Sequence, residues 1–359
     1  MTAPLSVSPE VIARIEGRVG RLTLNRPKAL HALTEAMCAT MILALDVWSR
    51  DPDVDLVLID HEGDRGFCAG GDIRMLAQSG YGDGSAARSF FHTEYRLNHL
   101  LFHYPKPTMV VMDGLVMGGG AGIALPCRFR VATERTLFAM PETGIGLFPD
   151  VGGGWHLPRL PGNAGLWLAL TGARIATDDC LALGLATDAV EAAGLQTLKA
   201  AVIAEPHRLE ERLAQAAAPR RPPPIHTKFL LLDDLFGRDS VEAIFEALRA
   251  DGSDWAREQL QVLETKSPQA LKIAFRQLAH GAAATDFAEH MALEYRIGAR
   301  LVHRHDFLQG VRAVILAKDN DPRWYPRDLT GVPDEVIDQI FAPLPADQEW
   351  TPLVQGAFA

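Results

Sequence analysis

Apolar residues recur with two different spacings along the first part of the chain. Val11 to Asn25 alternates apolar and polar side chains, which predicts strands that close at the turn-forming residues after Leu24. Leu33 to Trp48 places its apolar residues three or four positions apart, as in a helix that stops before Pro52. Val54 to Asp60 then predicts a buried strand. Strand, helix and strand in this order indicate an α/β fold.

The second half of the chain has a helical pattern. Glu191 to Arg220 is rich in alanine, and Arg220 to Pro224 is a basic, proline-rich segment suited to a linker. Beyond it, apolar residues at helical spacing predict amphipathic helices around Ile244, Leu260, Leu271, Met291 and Leu308. We therefore expect two regions, residues 1–220 with the strands and residues 221–359 with helices.

Charge and cysteine usage exclude several classes of protein. With 35 basic and 45 acidic residues in 359, the net charge of −10 argues against nonspecific nucleic-acid binding. The four cysteines, Cys38, Cys68, Cys127 and Cys180, are far apart and form no CxxC pair. Neither a zinc site nor a disulfide framework is expected, and a reducing compartment fits best.

The N-terminal segment suggests a location. Residues 1–10 have neither the basic start nor the apolar core of a secretory signal. No run approaches the roughly 18 consecutive apolar residues of a membrane span. These features predict a cytoplasmic protein with no membrane partner.

Candidate chemistry is concentrated between Met112 and Arg159. An apolar run leads into Gly118, Gly119 and Gly120, and such glycines allow backbone N–H groups to approach a ligand closely. Farther on, Glu142 follows Pro141, and Asp150 follows Pro149 and precedes three more glycines. Two carboxylates on stiff loops near a bare-backbone turn are what acyl chemistry needs.

Three motifs in this part of the chain carry a family resemblance. They are F-C-A-G-G-D-I at residues 67–73, V-M-G-G-G-A-G at residues 116–122 and M-P-E-T-G-I-G-L-F-P-D-V-G-G-G at residues 140–154. The sequence resembles the crotonase, or enoyl-CoA hydratase/isomerase, superfamily, and within it the 3-hydroxyisobutyryl-CoA hydrolases. The resemblance covers most of the chain and is looser over residues 191–264.

The resemblance implies a fold and a set of binding residues. The fold would be an α/β spiral of ββα units, with a helical C-terminal region packed over the core. The N–H groups of Gly71 and Gly119 would form an oxyanion hole, in which two donors stabilise the negative charge on a thioester oxygen. Family members bind coenzyme A with the segments that correspond here to Lys28, Ala29, Leu30, Ala69, Asp72 and Ile73. Lys28 is equally consistent with an ordinary surface lysine.

The reaction type depends on one departure from the hydratase pattern. Enoyl-CoA hydratases use two glutamates, one shortly after the glycine triplet and one in the later P-E segment. Here Gly122 occupies the first position, and glycine has no side chain to transfer a proton. Glu142 is retained and Asp150 is added, as in the hydrolases. This combination favours cleavage of a C–S bond over hydration of a C=C bond.

The expected roles follow from this comparison. Glu142 would activate water as a general base or attack the thioester directly to give a mixed anhydride. Asp150 would position the water or the 3-hydroxyl group and assist proton transfer. Glu94, which interrupts the apolar face of a helix predicted for residues 89–103, would hold that hydroxyl group; a salt bridge at the core boundary is the alternative. Structural roles, a helix cap for Glu142 and a turn residue for Asp150, are the alternatives there.

The resulting hypothesis is hydrolysis of a short-chain 3-hydroxyacyl-CoA, such as 3-hydroxyisobutyryl-CoA in valine degradation. The alternatives are a hydratase-like or isomerase enzyme that uses Glu142 alone, and a catalytically silent CoA-ester binding protein. No cofactor is expected apart from the coenzyme A of the substrate, and no metal, since His99 and His103 lack a third ligand. Family members form trimers or hexamers, although the helical tail here would also suit a monomer.

Overall fold

The computed structural model describes residues 8–353, so the first seven residues of the segment used to predict location lie outside it. The ten strands described are β1 (Val11–Glu16), β2 (Val19–Leu24), β3 (Leu56–His61), β4 (Gly66–Cys68), β5 (Thr108–Met112), β6 (Leu115–Met117), β7 (Phe129–Ala132), β8 (Leu137–Ala139), β9 (Ile175–Ala176) and β10 (Asp188–Ala189).

The α-helices described are α1 (Glu35–Arg50), α2 (Ile73–Gly80), α3 (Ser85–Phe102), α4 (Gly119–Ala124), α5 (Gly153–His156), α6 (Ala164–Thr171), α7 (Thr177–Ala182), α8 (Leu195–Ala204), α9 (Leu209–Ala216), α10 (Phe229–Phe236), α11 (Val241–Asp251), α12 (Asp254–Glu264), α13 (Pro268–Ala283), α14 (Phe287–Leu301), α15 (His305–Val311) and α16 (Asp334–Phe341). No helix among residues 8–353 is long and apolar enough to cross a membrane.

From β3 to β8, consecutive strands alternate between two sheets. The larger sheet has the order β1-β2-β3-β5-β7-β10, and the smaller one has the order β4-β6-β8-β9. In the larger sheet only β1 and β2 pair in antiparallel fashion, and the other neighbours are parallel. The chain therefore places β3 and β4, then β5 and β6, then β7 and β8 in successive turns of a spiral, which confirms the expected architecture.

The smaller sheet brings the two glycine segments together. Strand β4 ends at Cys68, just before Gly70 and Gly71, and β6 ends at Met117, just before Gly118. The two strands are parallel neighbours, so their carboxyl ends meet at the same edge of the sheet. Glycine triplet and F-C-A-G-G motif thus form one corner of the molecule.

Local capping explains where two of the helices begin. The Asp72 side chain accepts a hydrogen bond from the N–H of Met75 and so caps the helix that starts at Ile73. The Thr34 side chain caps α1 in the same way. Helix α4 starts at Gly119, so the glycine triplet is itself the helix start.

Helices dominate the described chain after residue 220. All five helices expected there are present, as α11 to α15. Helices α13 and α14 pack against α5, the short helix that follows Asp150. One hydrophobic cluster joins Phe148 and Val151 of the spiral to Phe287 and Met291 of α14, so the helical region covers the core. The boundary at residue 220 stays a prediction.

Candidate active site

A cavity of about 590 Å³ opens at the corner where the two glycine segments meet. Its walls include the two glycine segments, the middle of α3, the turn that begins at Glu142, and the segments at residues 265–266 and 314–322. Glu94, Glu142 and Asp150 all line it, as do Gly71 and Gly119. The fold therefore gathers the five residues for which the sequence predicted catalytic or substrate contacts.

The peptide N–H of Gly71 is free to bind a ligand. Leu33 donates its N–H to the carbonyl of Gly70 at 2.8 Å, and Asp72 donates to the carbonyl of Leu33 at 2.9 Å. Because successive residues of an extended chain point their N–H groups to opposite sides, that of Gly71 points away from Leu33 and towards the side of β6. Within residues 8–353 it donates to no backbone carbonyl.

Gly119 supplies a second N–H at the same corner. As the first residue of α4 it has no carbonyl partner one turn earlier in the helix. Its nitrogen lies 3.7 Å from the place where a Cβ on Gly70 would be, so the two glycine segments are in contact. The carboxyl groups of Glu94 and Glu142 lie next to this glycine segment. A Cβ on Gly119 would be 2.5 Å from Oε1 of Glu94, and one on Gly118 would be 3.1 Å from Oε1 of Glu142.

Glu142 is a buried carboxyl group without a matching cation. It begins a 3₁₀ turn (Glu142–Ile145) and is only 6% exposed. No hydrogen-bond partner faces its Oε2 atom in the described part of the chain. Burial raises the pKa of Glu142 well above that of an exposed glutamate, and the nearby Asp150 adds to the rise. In the described part of the chain its side chain makes no helix-capping hydrogen bond, so the structure does not support the alternative role of Glu142 as a helix cap.

Asp150 is hydrogen-bonded to helix α3. The Tyr95 hydroxyl donates a hydrogen bond of 2.9 Å to its Oδ2 atom. Burial raises the pKa of Asp150 to about 7, with a further rise from the buried Glu294 and an opposing effect of the Tyr95 hydrogen bond. A carboxyl group with this pKa exchanges protons near neutral pH, as a general acid or base requires.

Glu94 lies on the buried face of α3 and is 2% exposed. Burial, followed by the charge of Asp150, raises its pKa well above the ordinary value. Its Oε1 atom has no hydrogen-bond partner, and no cation lies within ion-pair distance, among the residues that the structure describes. The alternative of a boundary salt bridge is therefore wrong, and this side chain is available to a ligand.

Three buried carboxyl groups share one cavity. Burial raises the pKa of all three, and the charge of Asp150 raises those of Glu94 and Glu142 further, which favours their protonated forms. The site thus contains proton donors and proton acceptors side by side, next to two peptide N–H groups.

The position after the glycine triplet has no room for another carboxylate. A Cβ on Gly122 would lie 2.5 Å from Cβ of Val151 and 2.8 Å from Nδ2 of Asn98. Val151 has a φ of +54°, which is a strained conformation for a β-branched residue, and it follows Asp150 directly. The turn that carries Asp150 therefore fills the place where the hydratase pattern has its first glutamate.

Two of the six residues expected at coenzyme A line the cavity. Ala69 and Ile73 line it, and the N–H of Ala69 donates to the carbonyl of Leu30 at 3.0 Å. Lys28, Ala29, Leu30 and Asp72 are outside the lining, and Lys28 is exposed. The carboxylate of Asp72 is engaged with Arg26 at 3.1 Å, and its N–H donates to the carbonyl of Leu33. Coenzyme A binding by these residues stays a prediction.

Several residues of the cavity were missed by the sequence argument. Phe90 and Phe91 provide an apolar wall on α3, and Arg174 and Lys266 provide positive charge. Burial lowers the pKa of Lys266, whose Nζ atom lies 3.5 Å from the place of a Cβ on Gly144. His99 and His103 are away from the cavity lining; their rings stack with centroids 4.4 Å apart.

Replacing Gly119 by alanine is expected to lower the rate of the reaction roughly 10²-fold, since the new methyl group would displace the Glu94 carboxyl group and shift the N–H donor. The measurement is kcat with a thioester substrate. Gly194→Ala is the matched control, because Gly194 has a negative φ and open space around its missing Cβ. Equal rates for the two variants would show that the Gly119 corner is only a turn.

Two free peptide N–H groups facing three buried carboxyl groups define a site for acid–base chemistry at a carbonyl group. The sequence of the chain matches the model of the family described as enoyl-CoA hydratase/isomerase over residues 19–341. The chain therefore belongs to the enoyl-CoA hydratase/isomerase family, as its motifs predicted.

Two relatives illustrate the similarity at the level of sequence. The chain is 44% identical over 337 residues to a protein of Xenopus tropicalis named 3-hydroxyisobutyryl-CoA hydrolase, mitochondrial, with 91% of this chain and 87% of the relative covered. It is 40% identical over 358 residues to the Homo sapiens protein of the same name, with 96% and 91% covered.

Solved structures agree with the fold. The crystal structure of a carnitinyl-CoA dehydratase from Mycobacterium thermoresistibile has a TM-score of 0.91 and 37% identity, and the match covers 98% of this chain and all of the other. An enoyl-CoA hydratase from Rhodobacter sphaeroides 2.4.1 has a TM-score of 0.87 and 38% identity, with 95% and 99% covered.

The relatives correct the prediction of location. The sequence argument led to a cytoplasmic protein, whereas the similar Xenopus and human proteins are named as mitochondrial. The prediction of a cytoplasmic location is therefore wrong. It rested on the composition of the first ten residues, which is a weak guide compared with similarity along most of the chain.

Proposed function

We propose that this protein hydrolyses the thioester of a short-chain 3-hydroxyacyl-CoA, with 3-hydroxyisobutyryl-CoA as the substrate and valine degradation as the setting. Water adds its oxygen to the acyl carbon, the C–S bond breaks, and the products are 3-hydroxyisobutyrate and coenzyme A. The observation that carries the proposal is the pairing of Glu142 with Asp150 around the two glycine N–H groups, together with a Gly122 position that holds no carboxylate. The names of the sequence relatives support the same reaction.

The N–H groups of Gly71 and Gly119 would act as the oxyanion hole. Both glycines line the cavity, and neither N–H has a backbone partner among residues 8–353. As water or a carboxylate attacks, negative charge develops on the thioester oxygen, and donors already in place stabilise it without reorganisation. One such donor contributes about 3 kcal/mol to lowering the barrier.

Glu142 would drive the cleavage by one of two routes. As a general base it takes a proton from the attacking water while the C–O bond forms, and it returns this proton to the departing sulfur atom of coenzyme A. As a nucleophile it forms a mixed anhydride with the acyl group, which water then hydrolyses. In both routes the raised pKa of Glu142 makes its ionised form a stronger base than an exposed glutamate.

Asp150 and Glu94 would recognise the 3-hydroxyl group. Both side chains line the cavity, and each has a raised pKa, so each can donate as well as accept a hydrogen bond. An acyl chain without this hydroxyl group would leave the unpaired Oε1 atom of Glu94 buried and without a partner. This cost favours hydroxyacyl over plain acyl chains.

The cavity also suits the rest of the substrate. Arg174 and Lys266 lie in its lining and provide positive charge for the phosphates of coenzyme A. Phe90, Phe91 and Leu147 provide apolar surface for a short branched chain.

A hydratase-like reaction is the second candidate, because the two solved structures described above bear the names of a dehydratase and a hydratase. Such a reaction moves water across a C=C bond and normally uses two carboxylates on the water. Val151 and Asn98 occupy the space of the first one here. The geometry therefore supports hydrolysis better than hydration.

A panel of acyl-CoA esters tests the proposal. Free thiol release is measured with 3-hydroxyisobutyryl-CoA, isobutyryl-CoA and a straight 3-hydroxyacyl-CoA, and loss of the conjugated double bond is measured with an enoyl-CoA. We expect thiol release from the hydroxylated esters with a kcat/KM at least roughly 10²-fold above that for isobutyryl-CoA. Turnover of the enoyl-CoA without thiol release would favour the hydratase-like reaction, and absence of any turnover would favour a binding protein.

A further inference from the structure

Glu294 is a fully buried carboxylate that lies behind the catalytic turn. It belongs to α14 and has no exposed surface. No lysine or arginine lies within ion-pair distance of it in the described chain, in which its one ion-pair partner is His290. A charge placed this deeply without a strong partner is costly unless hydrogen bonds replace its water shell.

Four hydrogen bonds supply that replacement, and two of them come from the backbone of the catalytic turn. The N–H of Gly152 donates to Oε2 at 2.7 Å, and the N–H of Gly154 donates to Oε1 at 3.1 Å. Nε2 of Gln277 donates to Oε1 at 2.9 Å, and Nε2 of His290 faces the same atom at 3.1 Å. The contact from His290 is a hydrogen bond to an ionised carboxylate in the tautomer that carries the ring proton on Nε2.

The turn held in this way is the one that presents Asp150. It contains Val151 and Gly152 at φ values of +54° and +85°, and it closes with a 2.7 Å bond from the N–H of Gly153 to the carbonyl of Asp150. Gln277 also donates to the carbonyl of Pro149 at 2.8 Å. A strained residue persists only where its surroundings hold it in place, and Glu294 provides two of the anchors.

We propose that Glu294 is a positioning residue for the reaction, which fixes the turn at residues 149–154 so that Asp150 faces the substrate and which acts on Asp150 through its charge. The inference rests on the proposed function and adds a residue that touches neither the substrate nor the cavity. Its charge has a direct consequence for proton transfer, because the negative charge of Glu294 helps to raise the pKa of Asp150.

Other charged and polar groups also surround Asp150 and affect its pKa. Helix α3 presents Glu94, and also Tyr95, whose hydrogen bond opposes the rise in the pKa of Asp150. The turn at residue 142 presents Glu142, and α14 presents Glu294. Neutralising Glu294 alone therefore removes one negative neighbour and leaves the others in place, so the pKa of Asp150 falls.

The experiment compares wild type, Glu294→Gln and Gln277→Met. For Glu294→Gln we expect the apparent pKa near 7 in the pH profile of kcat/KM to move down by about one unit, and kcat to fall roughly tenfold, with KM changed less. Gln277→Met loosens the turn but keeps the charge of Glu294, so kcat should fall while the pH profile stays in place. Glu289→Gln is the control, because Glu289 lies on the same helix and is exposed.

A measurement without turnover keeps the test independent of the proposed reaction. Asp150→Asn should raise the melting temperature at pH 8 by a smaller amount in the Glu294→Gln background than in the wild-type background. In the Glu294→Gln background the charge of Asp150 has one negative neighbour fewer, so removing it relieves less repulsion. Equal gains in both backgrounds, or an unmoved pH profile, would overturn the inference. Failure of wild type to hydrolyse any thioester, with unequal gains, would instead reject the proposed function and leave the coupling of Glu294 to Asp150 standing.

Discussion

A Glu142→Gln enzyme is expected to lose at least about 10³-fold of its rate of thioester hydrolysis. The amide can neither take a proton from water nor attack the acyl carbon, whereas it has nearly the same shape as the carboxyl group. Binding of a 3-hydroxyacyl-CoA should change little, because the glycine N–H groups, Glu94 and the apolar wall remain. The measurements are single-turnover thiol release and the dissociation constant of the unreacted ester.

The stability of the same variant provides the control. Burial raises the pKa of Glu142, so the folded protein carries a cost for its charge at neutral and higher pH. We therefore expect Glu142→Gln to unfold at the same or a higher temperature than wild type. A variant that keeps most of its activity would remove Glu142 from the mechanism, whereas a variant that no longer binds the ester would make the loss of rate uninformative about chemistry.

An Asp150→Asn enzyme is expected to be slower and more stable at once. The rate should fall roughly 10²-fold or more, because the amide no longer exchanges protons near neutral pH. The Tyr95 hydroxyl can still donate to the amide oxygen, so the turn keeps this contact.

The gain in stability should depend on pH in a defined direction. Asp150 has a pKa of about 7 in the folded protein and about 3.9 in an unfolded chain, so the folded state binds the proton more tightly. Wild type therefore loses more stability than Asp150→Asn as the pH rises from about 4 to about 7. The melting temperatures of the two proteins should diverge over this range and keep a constant difference above it.

Asp64→Asn is a suitable comparison, since Asp64 is exposed and does not line the cavity. A melting curve for Asp150→Asn that runs parallel to that of wild type at every pH would contradict the raised pKa.

Regular elements of this protein are predictable where the hydrophobic pattern is long. The periodicity of residues 33–48 indicated α1, and the apolar run from Val54 to Asp60 indicated β3, because burial of one face or of a whole strand leaves a clear pattern. Short strands such as β4, β6 and β8 have only three residues each, too few for a period to be recognised. These strands nevertheless build the sheet edge that creates the site.

The family motifs indicated the residues of the site, and the structure adds why they belong together. Glu94 could be recognised in the sequence as a candidate site residue because a carboxylate interrupts the apolar face of its helix. Glu294 interrupts the buried face of α14 in the same way, four residues after His290, yet the sequence argument passed over it. Its partners come from residues far away in the chain, and only the fold shows that it meets the turn of Asp150.

The departure at Gly122 could be read from the sequence but not explained by it. A glycine there shows only that a carboxylate is missing. The structure shows that Val151 fills the space beside Gly122. The turn that carries Asp150 can therefore pack here only because position 122 has no side chain. Restoring a glutamate at this position would require the turn of Asp150 to move.

The structure of Glu142→Gln with bound 3-hydroxyisobutyryl-CoA tests the central claim most directly. The account predicts the thioester oxygen at about 2.7–3.1 Å from both the Gly71 and the Gly119 nitrogen atoms, with the amide of residue 142 beside the acyl carbon. A thioester oxygen that contacts neither nitrogen, or only one of them, would contradict it.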